Sequence, residues 1–178
     1  PIKFWNDVNN KKLKKAYFSK YKNVWYHGDF IQKTQNGGFI ILGRSDTTLN
    51  PGGVRMGTAE IYRQVENIEF VRESLAVGQN WKDDVRIILF VVMETKKKLG
   101  VEEINFIKSK IKDNCSPKHV PHKVIEIPEI PRTKSGKIVE LAVKKTIHGE
   151  NIENLEALSN PESIKFFKNL YEKGLLNE

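Results

Sequence analysis

The sequence predicts an α+β fold in which helices flank a small mixed sheet, preceded by a short β-rich segment. Two apolar runs, ESLAVGQ and VRIILFVVME, have the composition of strands, and the second is so continuously apolar that we expect it at the centre of the sheet. Apolar residues at helical spacing lie on both sides of these runs. A glycine-rich loop, SDTTLNPGG, separates this unit from the β-rich segment.

The segment before that loop predicts a short helix and then a hairpin. KKLKKAYFSKY has Leu13, Tyr17 and Phe18 where they would face inward from a helix. We predict two strands, VWYHGDFIQ, which is interrupted at Gly28, and GFIILGR, joined by a turn that begins at Asn36. Because asparagine, proline and glycine favour unusual backbone angles, the loop SDTTLNPGG is the best candidate for a domain boundary.

Apolar spacing predicts four more helices and an edge strand in the second unit. KVIEIPEI alternates apolar residues around Pro128, which is typical of an edge strand. Asn160 and Pro161 predict the start of the last helix, as its N-cap and its first residue. The expected inward faces are Ile61, Val65 and Ile68; Val101, Ile104, Ile107 and Ile111; Ile138, Leu141, Ala142 and Lys145; and Phe166, Phe167 and Leu170.

The composition limits the class of protein without deciding it. The 178 residues carry a net charge of +8, and the pI is about 9.4. A basic surface suits nucleotides, nucleic acid, CoA-like ligands or acidic lipids, but a lysine-rich surface also serves solubility alone. The one cysteine, Cys115, excludes an internal disulfide and a metal site built from several cysteines. We predict no metal site.

Two absences bear on location. No run approaches the roughly 20 apolar residues of a membrane span, and no signal-peptide pattern opens the sequence. We therefore expect a cytoplasmic protein without a membrane partner. Because the sequence begins PIKFWND, without an initiator methionine, we also expect a fragment or a processed product.

Two polar stretches near the glycine-rich loop could bind a nucleotide. In HGD, Asp29 can accept hydrogen bonds from a ribose diol, or it can cap a turn of its own backbone. In GRSDTTLNPGGVRMGTAEI, Arg44 and Arg55 flank bare backbone N–H groups that suit phosphate oxygens. Asp46 lies in the same turn, where it could be the pivot of a rigid-body movement. The alternative is a structural turn with two surface arginines.

A third polar stretch, RTKSGKIVELAVKK, begins at Arg132 between a predicted strand and a predicted helix. It is not a Walker A loop, because Pro131 stands where that motif requires a glycine. Lys137 would lie near the helix N-terminus, where the helix dipole and the lysine charge favour a polyphosphate or a carboxylate. The alternative is a basic surface loop.

The three stretches occur in an order and spacing that resemble the C-terminal part of adenylate-forming acyl-CoA synthetases, from about Trp25 to Lys145. The pieces FWND, WYHGDF, GRSDTTLNPGGVRMGTAEIYR, SPKHVP and LSNPESIKFF are most similar to members that activate acetoacetate, and they extend the resemblance over nearly the whole chain. The resemblance implies that residues 1–45 end the large adenylation domain, residues 46–150 form the small mobile domain and residues 151–178 form a helical tail.

The resemblance also implies a role for the motif residues. Asp29 would hold the ribose hydroxyls, Arg44 would contact the nucleotide near the ribose, and Arg55 would lie near the phosphates. Asp46 would be the hinge. Lys137 would meet the substrate carboxylate and the α-phosphate during adenylation, where a preorganised cation stabilises the developing charge.

In such enzymes a carboxylic acid and Mg²⁺-bound ATP form an acyl-adenylate and pyrophosphate, and CoA then displaces AMP. Gly52 and Gly53 would face the thiol of CoA, and Lys108 its 3′-phosphate. The implied substrates are acetoacetate, ATP and CoA, with no permanently bound cofactor, and the implied partner is the protein's own N-terminal adenylation domain. The family's acyl pocket and phosphate loop lie upstream, so we expect this chain to fold alone without synthetase activity.

Three other hypotheses stay open at this point. One is a ligase for acetate or another short acid. Another is a basic nucleic-acid-binding module that uses Trp25, Tyr26 and Phe30, although no RNP-like, zinc-finger or helix-turn-helix pattern is present and we expect no nucleic-acid partner. The third is an interaction domain that uses Phe166 and Phe167.

Overall fold

The computed structural model describes residues 2–152 and 154–177. It contains a two-stranded hairpin and a separate three-stranded mixed sheet with helices on both faces, which confirms the predicted fold class. In chain order the elements are α1 (Lys11–Tyr17), β1 (Asp29–Lys33), β2 (Phe39–Arg44), α2 (Thr58–Val65), β3 (Val71–Trp81), β4 (Asp84–Met93), α3 (Val101–Asn114), β5 (Lys123–Glu126), α4 (Glu140–Ile147) and α5 (Ser163–Glu172).

The strand pairing agrees with the sequence predictions. β1 and β2 pair antiparallel, and Gly37 in the turn between them has a positive φ of 79°, as expected of an Asn-Gly hairpin. In the larger sheet β4 is central, antiparallel to β3 and parallel to β5. β5 is the predicted edge strand, but it ends at Glu126, so Pro128 lies beyond it.

The core has two layers, one on each face of the central sheet. On one face α2 and α3 pack against β4, with Ile61, Ile107 and Leu89 fully buried. On the other face α4 and α5 cover the sheet. There Phe167 is 0% exposed and meets Phe90 edge-to-face, with ring centroids 4.9 Å apart. The predicted interaction surface of Phe166 and Phe167 is therefore wrong, because Phe167 belongs to the core.

Three details of the predicted helices are also wrong. Val101 is 74% exposed, because it occupies the first position of α3, ahead of the stretch that packs on the sheet. The predicted face of α4 is only partly right: Ala142 is buried, but Leu141 is exposed and Lys145 is half-buried, and Ile138 lies before the helix. The buried face comprises Ala142, Val143, Thr146 and Ile147.

Asn160 is not the cap of α5 either. That helix begins at Ser163 with Glu162 at the N-cap position, and the Asn160 side chain bonds the preceding loop instead. Across the two described ranges, we find no helix with both the length and the apolarity that a membrane crossing requires.

Candidate functional site

Three predicted site residues meet where the hairpin ends. Asp29 and Arg44 lie opposite each other in the antiparallel pairing, and the Arg44 guanidinium comes within 3.4 Å of Asp29 Oδ1. It also donates to both carboxylate oxygens of Asp46, at 3.3 and 3.0 Å. The hydrogen bonds with Asp46 raise the pKa of Arg44, so this guanidinium is charged at any ordinary pH. We call Asp29, Arg44 and Asp46 the junction cluster.

The junction cluster is open to solvent and is built closely around Gly28. About half of the Arg44 side chain is exposed, at 51%, and its Nη1 also donates to the His27 carbonyl. Gly28 has a φ of +91°, and a Cβ there would lie 2.8 Å from Arg44 Nη2. Because exposed ion pairs contribute little net stability, the charged groups can exchange partners with a ligand at low cost.

The glycine-rich loop is attached to the sheet through Gly52. Its N–H donates to both carboxylate oxygens of Asp84, at 2.8 and 2.9 Å. Together with the Val85 N–H, this bond lowers the pKa of Asp84. Gly52 has a φ of +57°, and a Cβ there would overlap the ammonium of Lys118, which the sequence analysis did not single out. Gly53 has a φ of +78°, and a Cβ there would meet no atom within 4 Å.

Lys137 lies on a tight loop, residues 132–138, which we call the lysine loop. An antiparallel bridge between Arg132 and Ile138 closes it. Inside the bridge, the Thr133 N–H donates to the Lys137 carbonyl at 2.8 Å, and the Lys137 N–H donates to Thr133 Oγ1 at 3.1 Å. The side chain of Lys137 is exposed. The loop, rather than the helix three residues further on, therefore sets the position of this lysine.

A half-buried carboxylate joins the junction to the helix that follows the lysine loop. Glu140 accepts a hydrogen bond from Thr47 Oγ1 at 2.6 Å and another from the Tyr62 hydroxyl. Tyr62 Oη in turn accepts from the Ala76 N–H at 3.1 Å. Burial, and then the negative charge of Glu140, raise the pKa of Tyr62 well above its usual value. We call Thr47, Tyr62 and Glu140 the Glu140 hub.

The sequence analysis missed the Glu140 hub, although one signal was present. Glu140 stands three and seven residues before Val143 and Ile147, so it shares their helix face, and both are buried. An acidic residue in register with a buried face needs hydrogen-bond donors. The hub fixes Thr47, the neighbour of Asp46 in the chain, to the body that carries the lysine loop.

The other predicted binding residues, Arg55 and Lys108, do not contact the junction cluster or the lysine loop. Arg55 is exposed, and across residues 2–152 and 154–177 we find no hydrogen bond or ion pair for its side chain. Lys108 donates to the His122 carbonyl at 3.0 Å, beside the edge strand β5. Burial raises the pKa of the Cys115 thiol, which makes it a poor nucleophile. No group of three metal-binding side chains occurs in the described part of the chain.

Comparison with solved structures defines the class of protein. The acetoacetyl-CoA synthetase of Streptomyces lividans matches with a TM-score of 0.90 at 39% identity, over 97% of this chain and 26% of that structure. An ATP-bound chimera, RpMatB-BxBclM, matches with a TM-score of 0.67 over 81% of this chain and 28% of its own; at 23% identity it supports the fold alone. The fold is that of the C-terminal part of adenylate-forming enzymes.

Comparison with curated sequences is more specific. The chain is 53% identical to the acetoacetyl-coenzyme A synthetase of Rhizobium meliloti over 172 residues, which is 97% of this chain. It spans about a quarter, 26%, of that relative's length. No protein-family model matches the chain. The similarities confirm the resemblance to the C-terminal part of acetoacetyl-CoA synthetases.

Proposed function

We propose that the chain is the C-terminal part of an ATP-dependent acid–CoA ligase that converts acetoacetate, ATP and CoA to acetoacetyl-CoA, AMP and pyrophosphate. The observation that carries this proposal is the 53% identity to an acetoacetyl-coenzyme A synthetase along 97% of the chain. Because the chain spans only 26% of that relative, the activity belongs to a longer protein. An N-terminal adenylation domain would supply the acyl pocket, and the reaction would take place in the cytoplasm.

In the first half-reaction, a carboxylate oxygen of acetoacetate attacks the α-phosphorus of Mg²⁺-bound ATP. The new O–P bond forms as the bond to pyrophosphate breaks, and the bonding electrons leave with pyrophosphate. Lys137, exposed on its loop, neutralises charge on the carboxylate and the α-phosphate. Asp29 accepts from the ribose hydroxyls, Arg44 contacts the nucleotide beside it, and Arg55 lies near the phosphates.

In the second half-reaction, the sulfur of CoA attacks the adenylate carbonyl and AMP leaves. The small domain, residues 46–150, rotates about Asp46 between the two steps, which brings Gly52 and Gly53 to the thiol and Lys108 to the 3′-phosphate. The contacts around the pivot support this proposal. Arg44 holds Asp46 through exposed ion pairs, whereas Thr47 is 6% exposed and bonded to Glu140.

The experiment is ATP–pyrophosphate exchange by the longer protein with acetoacetate, acetate, propionate and butyrate. We expect acetoacetate to give the highest kcat/KM. A higher kcat/KM with acetate would show that the substrate is a shorter acid than acetoacetate. The absence of exchange with every acid would overturn the proposal that the protein is a ligase. The 178-residue chain alone should give no exchange, since the acyl pocket lies outside it; robust exchange would contradict that division of labour.

A further inference from the structure

A segment near the C-terminus lies alongside the lysine loop and pairs with its backbone. We call this segment, residues 157–160, the strut. Two backbone hydrogen bonds join the strut to the loop, from the Lys134 N–H to the Ala157 carbonyl at 3.1 Å and from the Ser159 N–H to the Arg132 carbonyl at 2.9 Å. Together they form the antiparallel bridge between Thr133 and Leu158. The strut therefore acts as a short neighbouring strand for the loop that carries Lys137.

The last residue of the strut, Asn160, holds the start of the loop through its side-chain amide. Its Oδ1 accepts from the Arg132 N–H at 2.9 Å. Its Nδ2 donates to the Ile130 carbonyl at 3.0 Å and to Glu129 Oε2 at 2.8 Å. The amide oxygen thus faces a donor and the amide nitrogen faces two acceptors, so the side chain of Asn160 fits in one orientation only.

The strut is itself anchored to the core. Leu158 is 6% exposed and packs in a small apolar cluster with Ala142 of α4 and Ile164 of α5. The Asn160 carbonyl accepts from the N–H and the hydroxyl of Ser163, at 3.1 and 2.6 Å, at the start of α5. The loop therefore has a fixed support on the side of the strut, and its free side carries the exposed Lys137.

We propose that the strut positions Lys137 for adenylation and that Asn160 is a positioning residue. This inference rests on the proposed function, since it assumes that Lys137 meets the carboxylate and the α-phosphate. The physical reason is that small displacements of a group that stabilises developing charge cost large factors in rate. In this role Asn160 acts through its bonds to the Ile130 and Arg132 backbone and to the Glu129 carboxylate, and not by contact with a substrate.

The test uses Asn160→Asp with a matched control. The aspartate keeps the acceptor for the Arg132 N–H but loses both donated hydrogen bonds, and it turns a second carboxylate oxygen towards Glu129. Asn169→Asp makes the same change in charge at an exposed position of α5. Asn160→Ala, which adds no charge, serves if the aspartate prevents folding.

The first readout is amide hydrogen exchange in the 178-residue chain, which does not depend on any activity. We expect at least tenfold faster exchange at Lys134 in Asn160→Asp, and at both Arg132 and Lys134 in Asn160→Ala, which also removes the acceptor of the Arg132 N–H. Exchange at Leu89 in the central strand should be unchanged in both variants. Asn169→Asp should match the unchanged chain at all three amides. Unaltered exchange at Arg132 and Lys134 in both Asn160 variants would show that Asn160 does not support the lysine loop, and would overturn the proposal.

The second readout is the two half-reactions of the longer protein, measured separately. We expect Asn160→Asp to slow ATP–pyrophosphate exchange by about tenfold to a hundredfold, with thioester formation from preformed adenylate within about threefold of the unchanged enzyme. Equal loss in both half-reactions, or no loss with a loosened loop, would overturn the positioning role and leave the proposed ligase intact. No exchange by the unchanged protein would overturn the ligase and the positioning role together.

Discussion

The two regions that carry predicted nucleotide-binding residues are held in different ways. The junction cluster is held by contacts between exposed side chains, with Arg44 between two carboxylates. The lysine loop is held by its own closing bridge, by the strut and by the half-buried side-chain amide of Asn160. Net stabilisation by an exposed ion pair is about 0–1 kcal/mol, whereas leaving a buried backbone group without its partner costs about 1–3 kcal/mol.

The difference indicates which region can rearrange. The contacts of Arg44 can be exchanged for contacts with a ligand or for a new backbone geometry at Asp46. The lysine loop loses several bonds if it moves relative to the sheet, so it moves only with the body beneath it. The Glu140 hub fixes that body to Thr47, so we expect the proposed pivot on the junction side of Thr47. This arrangement suits a rigid body that carries Lys137 at a fixed position on its surface.

The largest expected change in stability comes from opening the core beneath α5, the helix to which the strut is anchored through Ile164. Phe167→Ala removes a fully buried ring that packs on Phe90, and we expect the free energy of unfolding to fall by about 3–5 kcal/mol. Urea denaturation measures it. Phe39→Ala, at a position that is 65% exposed, should cost below about 1 kcal/mol. Similar losses in the two variants would show that α5 is not part of the core.

The next effect tests the connection between the two regions. Tyr62→Phe leaves the Ala76 N–H without its acceptor and takes one donor from Glu140. We expect a loss of about 1–3 kcal/mol in the free energy of unfolding. Tyr171→Phe, at an exposed position of α5, should stay within about 0.5 kcal/mol. If Tyr62→Phe were equally mild, the bonds of Tyr62 to Glu140 and Ala76 would contribute nothing to the stability of the hub.

The hub also gives a pH dependence with a defined sign. The pKa of Tyr62 is raised in the folded chain above its ordinary value of 10.0. Below that value the phenol is protonated in both states; above it, the unfolded chain ionises first, so the stabilisation by Tyr62 declines as pH rises. The difference in unfolding free energy between the unchanged chain and Tyr62→Phe should therefore be constant below about pH 9 and narrow as the pH rises above about 10. A difference that stays constant or widens over that rise contradicts this assignment.

The smallest effect is expected at the junction. Arg44→Gln removes both exposed ion pairs, and we expect a loss below about 1 kcal/mol that disappears at high salt. Lys33→Gln makes the same charge change at an exposed strand end and serves as the control. Thermal unfolding at low and high salt compares them. A loss as large as that of Tyr62→Phe would mean that the junction is as firmly fixed as the lysine loop.

The sequence predicted the parts of the fold that depend on local patterns. The Asn36 turn sets the hairpin, and the continuous apolar run of β4 sets the centre of the sheet, because both signals lie within a few neighbouring residues. The faces of α3 and α4 were partly wrong. The position of the sheet, rather than the spacing alone, decides which side of each helix is buried. Val101 and Leu141 have the expected spacing but are exposed, because they do not face the sheet.

The contacts that support the candidate site could not be read from local patterns. Thr47 and Glu140 are 93 positions apart in the chain, and Asn160 lies 28 positions after Arg132. Asn160 followed by proline has the signature of a helix cap, yet its amide satisfies a loop that passes beside it in space. Spacing indicates which residues share an element, but it does not indicate which elements meet.

The most direct test of the account compares Lys137→Ala with Lys134→Ala in the longer protein, since both lysines are exposed on the same loop. Adenylation and thioester formation from preformed acetoacetyl-adenylate are measured separately for each variant. We expect Lys137→Ala to lower adenylation by about 10²–10³-fold, with thioester formation preserved and Lys134→Ala close to the unchanged enzyme in both steps. Equal losses in both half-reactions for Lys137→Ala, or an equal loss in Lys134→Ala, would contradict the role assigned to this lysine.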